Sequence, residues 1–330
     1  MRIELIVFLL LTSGVCAGQD QSEEDRLIAT LKRSDTAPDG LLSSRSAALF
    51  GPDYSQHELE EIQRGFQQIS IDAISYVESE RALAGRDLMN AYGRYFASRD
   101  IRFLIFMKKG DQEYQFNFIS FNAQAHWVDT NQSTWFTHSP TLKGLLQTIS
   151  RSVIGAQKRQ NFLINDFPER SGPLGAVGNR REEDWAPGVR SSKIAVPRTG
   201  DVQTDQELEL FLKEHFHAKY ELVEPDADEK GLIEKEFVYI LRFIHTRGFL
   251  AKDILGYDMS KSESALATVN YRSGNLQLKT IPSGTSVYKF YIKNLEEGIF
   301  YLGRKWDADL TWQDGLRNYL DGYRAAGKLN

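Results

Sequence analysis

Capped amphipathic segments alternate with short, densely apolar runs along most of this chain, and that alternation restricts the fold more than any other feature. Four helix starts carry a hydroxyl residue followed three positions later by an acid, a pairing that satisfies the orphan amides of a first turn: Ser22/Asp25, Ser55/Glu58, Thr204/Glu207 and Thr311/Asp314. Behind three of them apolar residues recur at helical spacing, as Leu59, Ile62, Phe66 and Ile69, as Leu208, Phe211, Leu212 and His215, and as Leu316, Tyr319, Leu320 and Tyr323. Pro140 opens a further helix bearing Leu142, Leu145, Leu146 and Ile149.

The intervening runs read as strands. Residues 102–107 and 237–244 are almost unbroken in hydrophobicity, which suits strands covered on both faces. Residues 114–119 and 287–292 alternate instead, as antiparallel strands with one wet face do. The first half therefore runs strand 46–50, helix, strand 72–77, helix 86–98, two strands and a helix. The second runs helix from 205, strand 220–223, helix near 228–236, strand 237–244, antiparallel strands and a closing helix. Such an order predicts an α/β fold: two small α/β domains, each a mixed sheet with helices packed on it. The similar order of the halves leaves open a diverged duplication, with Glu58, Leu59 and Phe66 laid against Glu207, Leu208 and Phe216.

Composition changes between the halves. Pro168, Pro173, Pro187 and Pro197 fall among Gly172, Gly175, Gly178, Gly188 and Gly200, and neither helical nor strand periodicity is evident there. The expected division is a signal peptide over 1–17, a helical lead-in over 18–40, a first α/β domain over 41–160, a Pro/Gly-rich linker over 161–204 and a second α/β domain over 205–330.

The leader rests on Arg2, an apolar run from Leu5 to Leu11, the break at Ser13 and Gly14, and small residues at Val15, Cys16 and Ala17. The run is far shorter than the roughly 20 residues that span a bilayer, so it is expected to be cleaved, leaving an exported periplasmic or extracellular protein. A lipid anchor on Cys16 is the alternative, although Ser13 and Val15 depart from the residues such a processing box prefers. Cys16 is the one cysteine of the 330 residues, so a chain cleaved after Ala17 has no disulfide, thiolate zinc site or cysteine nucleophile. The net charge of −5 argues against a nucleic-acid partner, which would call for a basic face.

Chemistry-bearing constellations are few. Asp307 and Asp309 lie between Trp306 and Trp312, an arrangement that offers paired acids with flanking ring faces or, alternatively, a turn leading into the Thr311 helix with packed tryptophans. His245 ends an apolar strand, the place where ligands of open α/β sheets bind, and can equally be a turn residue. His215 and His217 sit near a helix end, too far apart around the axis to share a ligand. Trp127 and Trp135, near His126 and His138, suggest an aromatic binding surface on loops. No metal site and no cofactor motif is expected; the glycines from Gly172 to Gly178 lack the lysine and hydroxyl residue of a phosphate loop. The expected role is an envelope accessory protein that binds a protein partner without catalysis. Two other classes compete: a secreted hydrolase using Asp307, Asp309 and His245, and a small-ligand carrier with an interdomain cleft.

Overall fold

A computed structural model describes residues 23–154, 160–161, 163–170, 172, 177, 180–261, 263–272 and 275–329. The expected leader with Cys16, and most of the Gly172 to Gly178 stretch, lie outside the described residues.

The expected alternation is present. The first half contains α1 (Glu23–Ala29), β1 (Lys32–Ser34), β2 (Arg45–Phe50), α2 (Gln56–Gln68), β3 (Asp72–Glu78), α3 (Ser79–Ala82), α4 (Arg86–Ser98), β4 (Ile101–Lys109), β5 (Tyr114–Ser120), β6 (Ser133–Ser139) and α5 (Leu142–Val153). The second contains β7 (Arg181–Glu182), β8 (Ile194–Pro197), α6 (Val202–His215), β9 (Tyr220–Val223), α7 (Glu229–Glu234), β10 (Tyr239–Arg247), α8 (Gly248–Ile254), β11 (Ala265–Arg272), β12 (Asn275–Pro282), β13 (Ser286–Asn294), β14 (Phe300–Tyr301) and α9 (Trp312–Ala325).

Local chemistry sets the helix starts. Ser55 Oγ accepts from the Glu58 amide at 3.3 Å while Glu58 Oε2 accepts from the Ser55 amide at 2.8 Å, so both halves of the capping box form. Thr311 accepts from the Asp314 amide at 3.1 Å. Two starts differ from expectation. Asp201, not Thr204, caps α6 by accepting from the Thr204 amide at 2.8 Å, because a carboxylate placed three residues earlier reaches the same first turn. Thr141, not Pro140, sets the start of α5, leaving the proline just outside the helix.

Two six-stranded mixed sheets carry these helices, ordered β1-β6-β5-β4-β2-β3 and β7-β14-β13-β10-β8-β9. In the first, β2 lies parallel to both β3 and β4, and β5 is antiparallel to β4 and β6. In the second, β8 lies parallel to both β9 and β10, and β13 is antiparallel to β10 and β14. The two sheets are thus wound alike. Such windings recur in unrelated chains, so the likeness is one of topology and does not by itself establish a duplication.

Both faces of each sheet are covered. Leu59, Ile62 and Phe66 of α2 and Leu142, Leu145 and Ile149 of α5 pack on Phe103, Ile105 and Met107, while Met89, Tyr92 and Phe96 of α4 pack on Leu104 and Phe106. The unbroken apolar run of β4 is explained by this double coverage. In the second sheet α6 and α9 cover one face, where Leu316, Tyr319, Leu320 and Tyr323 are fully buried. Each of those side chains contributes about 1.5–3 kcal/mol of burial.

The Pro/Gly-rich stretch 161–204 is more than a connection. It supplies β7 and the inner strand β8, and buries Trp185 and Val189 in the second core. Four residues bounded by Lys193 and Arg198 show too little alternation to reveal a strand, and only pairing with β9 and β10 makes β8 one. The two halves also pack together. β8 pairs with β10 only at Tyr239 and Ile240; farther along, the His245 amide donates to Ala84 O at 2.7 Å, and Ala84 and Leu88 join the core beneath α8. A Cβ on Gly85 would come within 2.5 Å of Phe243 O, so the close approach at this point requires glycine.

Candidate functional site

The residues expected to carry chemistry are buried or stacked, and each is held by a partner of its own. Asp307 and Asp309, which precede the Thr311-capped helix, are each 3 % exposed. Lys289 Nζ lies 2.6 Å from Asp307 Oδ1 and donates to the carbonyls of Leu302 at 2.6 Å and Phe290 at 3.0 Å. Burial pushes the Asp307 carboxyl up to about 6 despite that lysine. The same burial lowers Lys289, so desolvation drives both partners toward neutrality. Asp309 pairs with Lys279 and accepts from Asn318 Nδ2 at 3.2 Å.

His245 belongs to β10 instead of forming a turn, and its ring stacks on Tyr288 at 3.9 Å and 5°. The backbone of Asp309 pairs with Tyr288 in both directions, at 2.7 and 3.1 Å, so His245 and Asp309 flank the same tyrosine. The Asp309 carboxylate itself is bound by Lys279 and Asn318.

The tryptophans pack. Trp127 is fully buried, with Nε1 donating to Met89 O at 3.0 Å, and Trp135 lies 4.7 Å from the Phe118 ring. The aromatic surface expected of that pair is therefore interior. Trp306 meets Tyr257 edge-on at 5.3 Å and Trp312 meets Phe211 at 5.8 Å. His215 packs 4.5 Å from Phe211, and burial lowers its pKa. Among the described residues no group of three or more His, Cys, Asp or Glu could hold a metal ion, and no helix is long and apolar enough to cross a membrane.

Two features were not anticipated from the sequence. The first is a charge cluster where α4 of the first half meets the second sheet. Lys293 Nζ donates to Asp87 Oδ1 at 2.8 Å and to both Glu229 oxygens at 2.7 and 2.8 Å, and Tyr291 OH donates to Asp87 Oδ2 at 2.8 Å. Burial alone would raise Asp87, but Lys293 and Arg242 hold its carboxyl below the usual range. The legible signal was Arg242 inside the apolar run 237–244, since a charge in a doubly covered strand must find a partner.

The second is the edge of the β11–β12 hairpin. β11 is fixed on its inner side, where the Val269 amide donates to Trp306 O at 2.8 Å and Thr268 Oγ1 donates to Ala308 O at 2.6 Å. On its other side β11 pairs with β12 through eight residues, and β12 has no further strand beside it among the described residues. It exposes Leu276 (54 %) and Leu278 (70 %), while its one charge, Lys279, is engaged by Asp309. Beside the hairpin base a cavity of about 330 Å³ has Phe249, Met259 and Leu266 among its walls, with Lys252, Lys261 and Glu263 supplying charge. The chain matches no protein-family model, and no curated protein is detectably similar to it.

Proposed function

We propose that this is an exported accessory protein of the cell envelope that binds an extended segment of a protein partner along β12, without catalysis. The observation that carries the reading is the uncovered eight-residue edge of β12 with Leu276 and Leu278 turned outward. Proteins blunt such edges with lysine, proline, bulges or covering elements, because unpaired amides and carbonyls are a template for another strand. Here the single lysine is drawn away to Asp309, and the only proline, Pro282, stands at the strand's last position. An added strand gains backbone hydrogen bonds from the edge and specificity from alternate side chains.

In this reading Asp309 is a positioning residue. Its carboxylate ties β12 through Lys279 to α9 through Asn318, and its backbone pairs with β13, so the hairpin is anchored to the second sheet and to α9. Preorganisation of this kind lowers the ordering cost of binding.

The test begins with the native protein from its own envelope, whose amino terminus should start at Gly18 or Gln19; a lipid on Cys16 would replace the soluble form with an anchored one. Its bound partner is then identified and the complex examined by hydrogen exchange. Protection of the β12 amides, together with loss of the partner from a folded Leu276→Lys/Leu278→Lys variant, is expected. An unprotected β12 in the complex, or undiminished binding by that variant, would overturn the docking site.

A further inference from the structure

Lys289 of β13 is completely buried, and the surroundings of its Nζ suit an amine better than an ammonium ion. Nζ donates to Leu302 O at 2.6 Å and to Phe290 O at 3.0 Å. Its remaining close neighbour is Asp307 Oδ1 at 2.6 Å, yet that contact lacks hydrogen-bond angles, and Oδ1 accepts from nothing else. An ammonium would carry a third N–H with no acceptor in a dry interior, which is costly. A neutral amine spends both of its N–H groups on the two carbonyls and keeps its lone pair for the carboxyl group. Burial favours the uncharged form of each partner, since it raises Asp307 and lowers Lys289.

Both partners are also fixed in position. Lys289 lies opposite Ile244 in the ladder of β10 and β13. Asn318 Nδ2 donates to the backbone carbonyl of Asp307 at 3.2 Å, and Asp309 two residues on is paired by its backbone with Tyr288. The buried ring of Tyr319 lies 4.9 Å from Nζ and closes the space from α9. Two reactants held in contact and away from water react as if at an effective molarity of about 10⁵–10⁸ M in well-oriented cases. We propose that Lys289 and Asp307 condense into an intramolecular isopeptide bond that joins β13 to the segment leading into α9. The Nζ lone pair attacks Cγ of the protonated carboxyl group, and a proton passes from the nitrogen to the hydroxyl oxygen. The Cγ–O bond to that oxygen then breaks, its electron pair stays on the oxygen, and one water leaves. The product is a secondary amide, and no oxidant or other co-reactant is consumed. The bond supplies a covalent staple to a chain whose one cysteine, Cys16, lies in the expected leader. It also secures the segment whose Trp306 and Ala308 carbonyls hold β11. This bond is independent of what β12 binds.

The experiment is intact-mass spectrometry of the purified full chain after denaturation. A mass lower by one water than that of the residues counted from its measured amino terminus is expected, and Lys289→Met should restore the full mass. Trypsin should fail to cut after Lys289 and should release Thr280–Lys293 joined to Trp306–Arg317 as one branched peptide, with fragment ions that place the missing water at the junction. The wild-type measurement stands whether or not the variant folds. A wild-type chain of full mass, tryptic cleavage after Lys289, a water loss confined to a linear peptide, or a loss that persists in Lys289→Met would overturn the bond.

Discussion

At the scale of single residues, burial decides what a charged group does. Asp307 and Asp309 look like paired acids in the sequence, but Lys289 of β13 pairs with Asp307, while the Asp309 carboxylate links Lys279 of the hairpin to Asn318 of α9. Removing one member of a buried pair leaves the other uncompensated. Asp307→Ala is therefore expected to cost about 3–5 kcal/mol, while Asp307→Leu combined with Lys289→Met should recover much of that loss. Urea denaturation of the three proteins checks this. A cost near the ~1 kcal/mol of a lost turn or cap would mean that the pair contributes little.

At the scale of elements, the capping box of α2 makes a prediction about pH. Burial would raise Glu58, but hydrogen bonds from Ser55, Tyr114 and Lys109 bring its carboxyl down to about 2 from its ordinary 4.5. A depressed folded-state pKa contributes stability that is complete above the unfolded value and is lost as pH falls through the folded one. The stability gap between wild type and Glu58→Gln should thus be widest above pH 4.5 and should close as pH approaches 2. Denaturant midpoints measured across that range provide the check, and a pH-independent gap would mean that the charge of Glu58 is not what holds the cap. Most elements were legible at this scale: α4 spans the expected 86–98 and β9 the expected 220–223. β8 was not, because its identity comes from neighbours distant in sequence, not from its own four residues.

At the scale of the whole molecule, the halves are joined by more than a connecting segment. Arg81 pairs with Asp253, Arg247 Nε lies 2.6 Å from Glu80, and Asp87 enters the second sheet between Lys293 and Tyr291. Asp87→Asn removes the charge that balances Lys293 and Arg242, at an expected cost of about 3–5 kcal/mol. Calorimetry should show one cooperative transition in the wild type and a lower, broadened or split one in the variant. An unchanged single transition would mean that the halves are coupled elsewhere.

The sequence by itself determined the α/β class, the order of the principal elements and where several of them begin, since helical and strand periodicities and the Ser55 and Thr311 caps are short-range properties of neighbouring residues. Tertiary structure alone decided which charges meet, that Trp127 and Trp135 lie inside, and that β12 has no strand beside it other than β11 among the described residues. Asp87 and Lys293 stand 206 positions apart, and no local pattern encodes a contact of that separation. The candidate sites sit where such long-range contacts form or are left incomplete, and the physical reason is that burial and pairing are properties of the folded chain, whereas periodicity belongs to the segment.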